Sequence, residues 1–135
     1  MQGDRDKLKV LVLPSWYPTE RYPVGGVFIQ QQARALASRP DLDVTVLFVD
    51  RASIPGWLRG PKRLSLRCEE GVRVYRLAMP RVRVVWPFLY AAWTVLAYAA
   101  LRRRNVRPDI VHAHVALPAG LVGALIKRLW HTPLV

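Results

Sequence analysis

Apolar residues fall along this chain in short unbroken runs, separated by stretches with helical spacing. Lys9-Val10-Leu11-Val12-Leu13 is the first run and has strand length. A loop, Pro14 to Gly26, leads into Val27–Ala37, whose apolar and polar positions alternate as on an amphipathic helix. Pro40-Asp41-Leu42-Asp43 reads as a turn. Val44-Thr45-Val46-Leu47-Phe48-Val49 is a β-branched run whose continuous apolar character suits a buried strand of a parallel sheet. Residues 9–49 thus predict strand, helix, strand, the opening βαβ unit of a doubly wound sheet.

The pattern loosens at residues 50–71, where Pro55, Gly56, Gly60, Pro61 and Gly71 predict irregular backbone. Val72–Leu77 predicts an edge strand, because Arg73 and Arg76 interrupt it. Val84–Leu101 is an uncharged run with the length of a membrane span. However, Pro87 suits a helix start, which leaves about 21 Å of helix at ~1.5 Å per residue, short of a hydrocarbon core of ~30 Å. Arginines flank both ends (Arg81, Arg83; Arg102, Arg103, Arg104), so the run predicts a helix packed on the sheet.

Pro108–His114 predicts another buried strand, ending in polar residues. Pro118 opens a helix at a favourable first position, with Leu121, Val122, Leu125 and Leu129 on its packing face. Thr132-Pro133 stops it. Leu134-Val135 reads as the start of a further strand, so the expectation is one incomplete domain over residues 1–135.

Charge narrows the partners without choosing one. The 135 residues carry a formal charge of +12, and arginine outnumbers lysine by seventeen to four. Such an excess favours nucleic acid, acidic lipid or a phosphorylated substrate. The most basic segment, Arg51 to Arg83, holds eight Arg and one Lys against Glu69 and Glu70. Trp57-Leu58-Arg59 and Trp86-Pro87-Phe88 set aromatics within or beside it. They suit base stacking, a membrane interface or the rim of a core. Cys68 is the single cysteine, which suits a reducing compartment, and Met1–Lys9 has no apolar leader region. A cytoplasmic protein is expected.

Two features could carry chemistry. Gly25 and Gly26 precede the first helix, so the N–H groups of Val27 and Phe28 lie at the positive end of a helix dipole, where a phosphate could bind. The loop is neither G-x-G-x-x-G nor a P-loop, and a tight turn is the alternative. His112 and His114 alternate at a strand end. His114 could reach the ligand crevice at the carboxyl ends of the strands, and His112 is expected to be buried. Neither a metal site nor a Ser-His-Asp order is indicated.

Together the segments resemble the N-terminal domain of family 4 glycosyltransferases. The resemblance is carried by Lys9–Leu13, Pro14-Ser15-Trp16-Tyr17-Pro18, Gly25-Gly26-Val27-Phe28, Gln32–Ala37, Asp43-Val44-Thr45-Val46, Pro108–His114 and the Pro118–Trp130 helix. It implies the GT-B architecture and here a three-layer α/β/α Rossmann-like domain with a mostly parallel sheet. It further implies sugar transfer from a nucleotide-sugar to a glycan or lipid-linked acceptor, with retention of configuration and no metal. Gly25, Gly26, Val27 and Phe28 then correspond to the donor- or acceptor-binding loop. Ser15, Trp16 and Tyr17 become acceptor contacts, and His114 a cleft residue. The family's C-terminal donor domain and its Thr-x-His-Gly segment do not occur in these residues, so this chain alone is expected to be inactive. Docking at the inner face of the membrane through the basic and apolar surface also follows from the resemblance. A non-catalytic basic module for membrane or nucleic acid, and a different nucleotide-dependent α/β enzyme, are the alternatives.

Overall fold

The computed structural model describes residues 7–52, 57–58 and 63–135. The N-terminal residues before Lys7, and Arg59 with its Pro-Gly neighbours in the basic segment, lie outside the described residues. In chain order the elements are β1 (Leu8–Pro14), α1 (Val27–Ala37), β2 (Leu42–Ala52), β3 (Ser65–Glu69), β4 (Val72–Pro80), α2 (Trp86–Arg103), β5 (Ile110–His114) and α3 (Leu121–Trp130). A short wide turn, Ala116–Gly120, joins β5 to α3.

The five strands form one sheet in the order β3-β4-β2-β1-β5. β1 pairs in parallel with β2 and β5, and β2 pairs in parallel with β4. β3 is antiparallel to β4. Strand alternation sends consecutive residues to opposite faces, and each face has its own core. Val10, Val12, Val44, Val46, Phe48, Val72 and Val74 pack with Ile29 and Ala33 of α1. Leu11, Leu13, Leu47, Val49, Tyr75, Met79 and Val111 pack under α2 and α3, against Tyr98, Leu101, Val122 and Ile126. The predicted three-layer α/β/α architecture with a mostly parallel sheet is therefore observed. Within it, the buried Tyr98 hydroxyl lies 3.1 Å from the Thr132 hydroxyl and fastens α2 to the segment after α3.

Two expectations need correction, and a third is met. β4 is an interior strand, because residues 65–69, read as irregular, pair outside it as β3. The hairpin closes at Glu70 (φ 48°) and Gly71 (φ 83°), the left-handed pair that a two-residue turn requires. The charges on β4 are accommodated by partners: Arg73 Nη2 bonds Asp43 Oδ2 at 2.6 Å, and Arg76 Nη2 reaches Glu69 Oε1 at 3.2 Å. Second, the buried residues of α3 are Val122, Gly123 and Ile126, whereas Leu121 and Leu129 are exposed. The Gly123 side is the one that closes on the sheet, against Ala113 and Leu134, so the buried face is shifted by about one position from the expected stripe. Third, residues 133–135 already belong to the ladder. Val111 N–H donates to Pro133 O, Ala113 N–H to Val135 O, and Val135 N–H to Val111 O, at 2.8–2.9 Å. The expected further strand thus starts parallel to β5, at Leu134 opposite Val111.

Candidate functional site

The loop from Ser15 to Gly26 and the turn after His114 leave the sheet from neighbouring carboxyl ends, since Pro14 is paired with His114. Open parallel sheets hold ligands at such ends. Ser15 is buried, and its hydroxyl donates to the His114 carbonyl at 3.0 Å. One side chain thus joins the two loops.

The remaining residues of the loop are divided between core and surface. Tyr17 is buried among the α1-side core residues, with its ring 6.0 Å from that of Phe48. The Arg76 guanidinium sits over the Tyr17 ring at 5.2 Å and donates to the Pro18 carbonyl at 2.9 Å, so β4 holds the loop from below. Burial first, and then the Glu69 charge, push the Tyr17 phenol up to about 12; Arg76 and Arg34 oppose the shift. Tyr17 therefore keeps its proton. Of the three residues expected to touch an acceptor, Ser15 and Tyr17 are turned inward, and Trp16, 48% exposed, offers surface.

Gly26 has φ +74°, and a Cβ built there would fall against the Trp16 carbonyl and within 2.9 Å of Tyr17 N. Its glycine character is demanded by the protein's own backbone. Gly25 differs: a Cβ there would stand 3.5 Å from Tyr22 O, in ordinary contact. At the start of α1, Val27 N–H points to Val24 O at 3.4 Å. Among the described residues Phe28 N–H meets no backbone acceptor, and it faces outward at the positive end of the helix beside exposed Val27 and Phe28 side chains.

His112 and His114 lie on the α1 face of β5 with rings stacked, centroids 4.5 Å apart and planes 18° apart. Both are half-buried, so His112 is not the core residue expected from sequence. The edge of the α1 layer stops short of β5, which leaves the pair partly open. Burial, and then His112, lower the His114 pKa from its usual 6.5, so the ring is neutral near pH 7. Val115, directly after it, has φ 77°, a conformation that costs a β-branched residue of order 1–3 kcal/mol. Such strain often accompanies a functional loop. The Leu117–Pro118 peptide in the same turn is cis.

Asp50 and Arg51, at the carboxyl end of β2, were not singled out by sequence. The one available signal was their place at the end of an apolar run. Burial raises the Asp50 pKa, with Arg76, Arg51 and Arg21 opposing. Arg51, on the opposite face, lies over the Trp86 ring at 4.4 Å and the Tyr90 ring at 5.8 Å.

The Gly26 start of α1 and the His112/His114 pair thus lie toward the carboxyl ends of the neighbouring strands β1 and β5 of a Rossmann-like sheet. The chain belongs to the glycosyl transferase 4-like domain family, which matches residues 25–135. It is also 29% identical, over 139 residues, to "Putative teichuronic acid biosynthesis glycosyltransferase TuaC" of Bacillus subtilis (strain 168). That match covers 95% of this chain and 35% of the relative, so the chain spans about a third of the relative's length. The family read from the sequence is thereby shown, and a glycosyltransferase domain is the class to which these residues belong. Among the described residues no helix is long and apolar enough to cross a membrane.

Proposed function

We propose that this domain supplies the acceptor side of a glycosyltransferase that moves a sugar from a nucleotide-sugar with retention of configuration. A second Rossmann-like domain would face the carboxyl ends of β1 and β5 and hold most of the donor. The 135 residues by themselves are then expected to bind without turnover. The observation that carries this reading is the convergence of the Ser15–Phe28 loop and the His112/His114 pair at paired strand ends.

The division of labour follows from the site. The positive end of α1, with the outward Phe28 N–H, would stabilise charge on the departing diphosphate, which is electrostatic assistance and needs no proton transfer. Neutral His114 would accept or donate a hydrogen bond to an acceptor hydroxyl. Trp16 would offer an apolar face to a sugar ring. The net charge of +12 supports contact with an anionic membrane surface.

The test is expression of the open reading frame that encodes the chain. The product is incubated with a panel of uridine- and guanosine-diphosphate sugars and glycan or lipid-linked acceptors. Nucleotide release and the anomeric configuration of the product are followed by NMR. Transfer with retention is expected; inversion, or no transfer with any donor, overturns the proposal.

A further inference from the structure

An apolar groove of about 170 Å³ lies between the start of α2 and the turn that leads into α3. Its walls are Trp86, Pro87 and Tyr90 on one side and Leu117, Pro118 and Leu121 on the other. Two of its wall residues are large apolar side chains open to solvent, Leu117 at 68% and Leu121 at 48% exposed. The volume is below that of an ordinary small-molecule pocket, ~300 Å³ or more, and suits a segment of a hydrocarbon chain.

The charge on the groove side is basic; Asp50, the acid that couples to Arg51, lies on the opposite face of β2. Arg51 stacks on Trp86 and Tyr90, two of the wall residues, and has no carboxylate ion pair among the described residues. Arg81 is near enough to oppose the Arg51 charge. Arg81 and Arg83 are exposed and alternate with exposed Val82 and Val84. From Gly71 to Val135 the sequence has a single acidic residue, Asp109, and it precedes β5 at the far end of that strand. Apolar walls joined to unpaired guanidinium groups are complementary to an amphiphile with one anionic head.

We infer that the groove between α2 and the Ala116–Gly120 turn binds the apolar chain of a lipid phosphate, with Arg51 and Arg81 holding the phosphate. The ligand's role as acceptor rests on the glycosyltransferase reading; its binding does not. Arg51 stands near the end of β2 and Arg81 directly follows β4, so a lipid whose phosphate they hold presents its head group at the carboxyl ends of β2 and β4.

The experiment is calorimetric titration of the 135-residue chain with farnesyl phosphate, farnesol and inorganic phosphate, each in monomeric solution. Farnesyl phosphate is expected to bind at least about tenfold more tightly than either part, the worth of a charge-assisted hydrogen bond. Leu121→Glu should abolish binding. It leaves the fold intact because Leu121 is half exposed and an acid is favoured at a helix start. Leu117→Glu, at a more exposed position, is the second variant should the first lose its helical circular dichroism. Arg51→Gln should bring farnesyl phosphate and farnesol to within about twofold of each other. Leu96→Glu, on an exposed part of α2 whose residue does not line the groove, should bind as the parent does.

Equal affinity for farnesol and farnesyl phosphate overturns the inference, as does unchanged binding in both groove variants. Phosphatidylcholine vesicles doped with farnesyl phosphate should retain the chain better than vesicles of equal charge doped with phosphatidylglycerol. Equal retention would mean a general anionic-surface contact and also overturns it. Binding without sugar transfer by the full reading frame would overturn only the enzymatic reading. Transfer to a soluble glycan with no lipid-phosphate binding would overturn only the groove.

Discussion

The Ser15 hydroxyl donates to the His114 carbonyl oxygen across 3.0 Å and ties the end of β1 to the end of β5. The two residues are 99 positions apart in sequence. Beyond Pro14, which has no N–H to give, this side chain continues the join that the backbone ladder makes below it. It also sets the distance between the glycine loop and the strained turn at Val115.

Ser15→Ala should therefore destabilise the domain by about 1–2 kcal/mol, because it removes a buried hydrogen bond and leaves a carbonyl without that donor. Urea unfolding checks the size. The imidazole proton resonances of His112 and His114 should move with it. A midpoint and a histidine spectrum identical to the parent's would show that the bond does not position β5.

The two glycines before α1 should behave differently. Gly26→Ala forces a Cβ onto the Trp16 carbonyl and a left-handed residue away from glycine, which should cost upward of ~2 kcal/mol. Gly25→Ala meets ordinary contacts and should stay within about 0.5 kcal/mol of the parent. Thermal unfolding of both variants decides this. A tolerant Gly26 would mean that the loop is free to leave Trp16 and Tyr17.

His114 makes stability fall in mild acid. Its folded pKa is lowered, so the unfolded chain takes up this proton first as pH drops below 6.5. The His114 contribution is complete above 6.5 and is lost as pH falls through the lower folded value. His114→Gln should flatten the unfolding midpoint over that window, and NMR titration should find the His114 ring protonating below the usual histidine range. Protonation above 6.5 would contradict the burial of the ring.

Asp50 has the opposite sign. Burial raises its folded pKa, so the ionised carboxylate is a cost at neutral pH that disappears as pH falls toward 3.8. Asp50→Asn should raise the melting temperature at pH 7, and the difference from the parent should close near pH 4. A lower melting temperature at pH 7 would mean that the attraction of Arg76, Arg51 and Arg21 outweighs desolvation.

Apart from β3, the order of elements and the parallel βαβ start were legible from local pattern, and the family from resemblance. Val10 to Leu13 and Val44 to Val49 are apolar on both faces, and only a strand covered on both sides uses such a run. The Gly25-Gly26 loop and the His112-Ala113-His114 strand end were likewise visible as candidates. Their surroundings were not.

Charge on β4 suggested an edge, yet Arg73 and Arg76 meet Asp43 and Glu69 only once the strand is inside the sheet. Tyr17 looked like a ligand contact beside Trp16, but the core that buries it comes from β2, β4 and α1. At Gly26 the space a side chain would need is taken by the Trp16 carbonyl, a contact made across the loop that no local pattern shows. Outside Ser65–Glu69, the sequence by itself determined which segments become strands and helices, because apolar periodicity acts between neighbours. The tertiary structure decided which side chains face the cleft, because that depends on strand order and on contacts such as Ser15 to His114, made between residues distant in the chain.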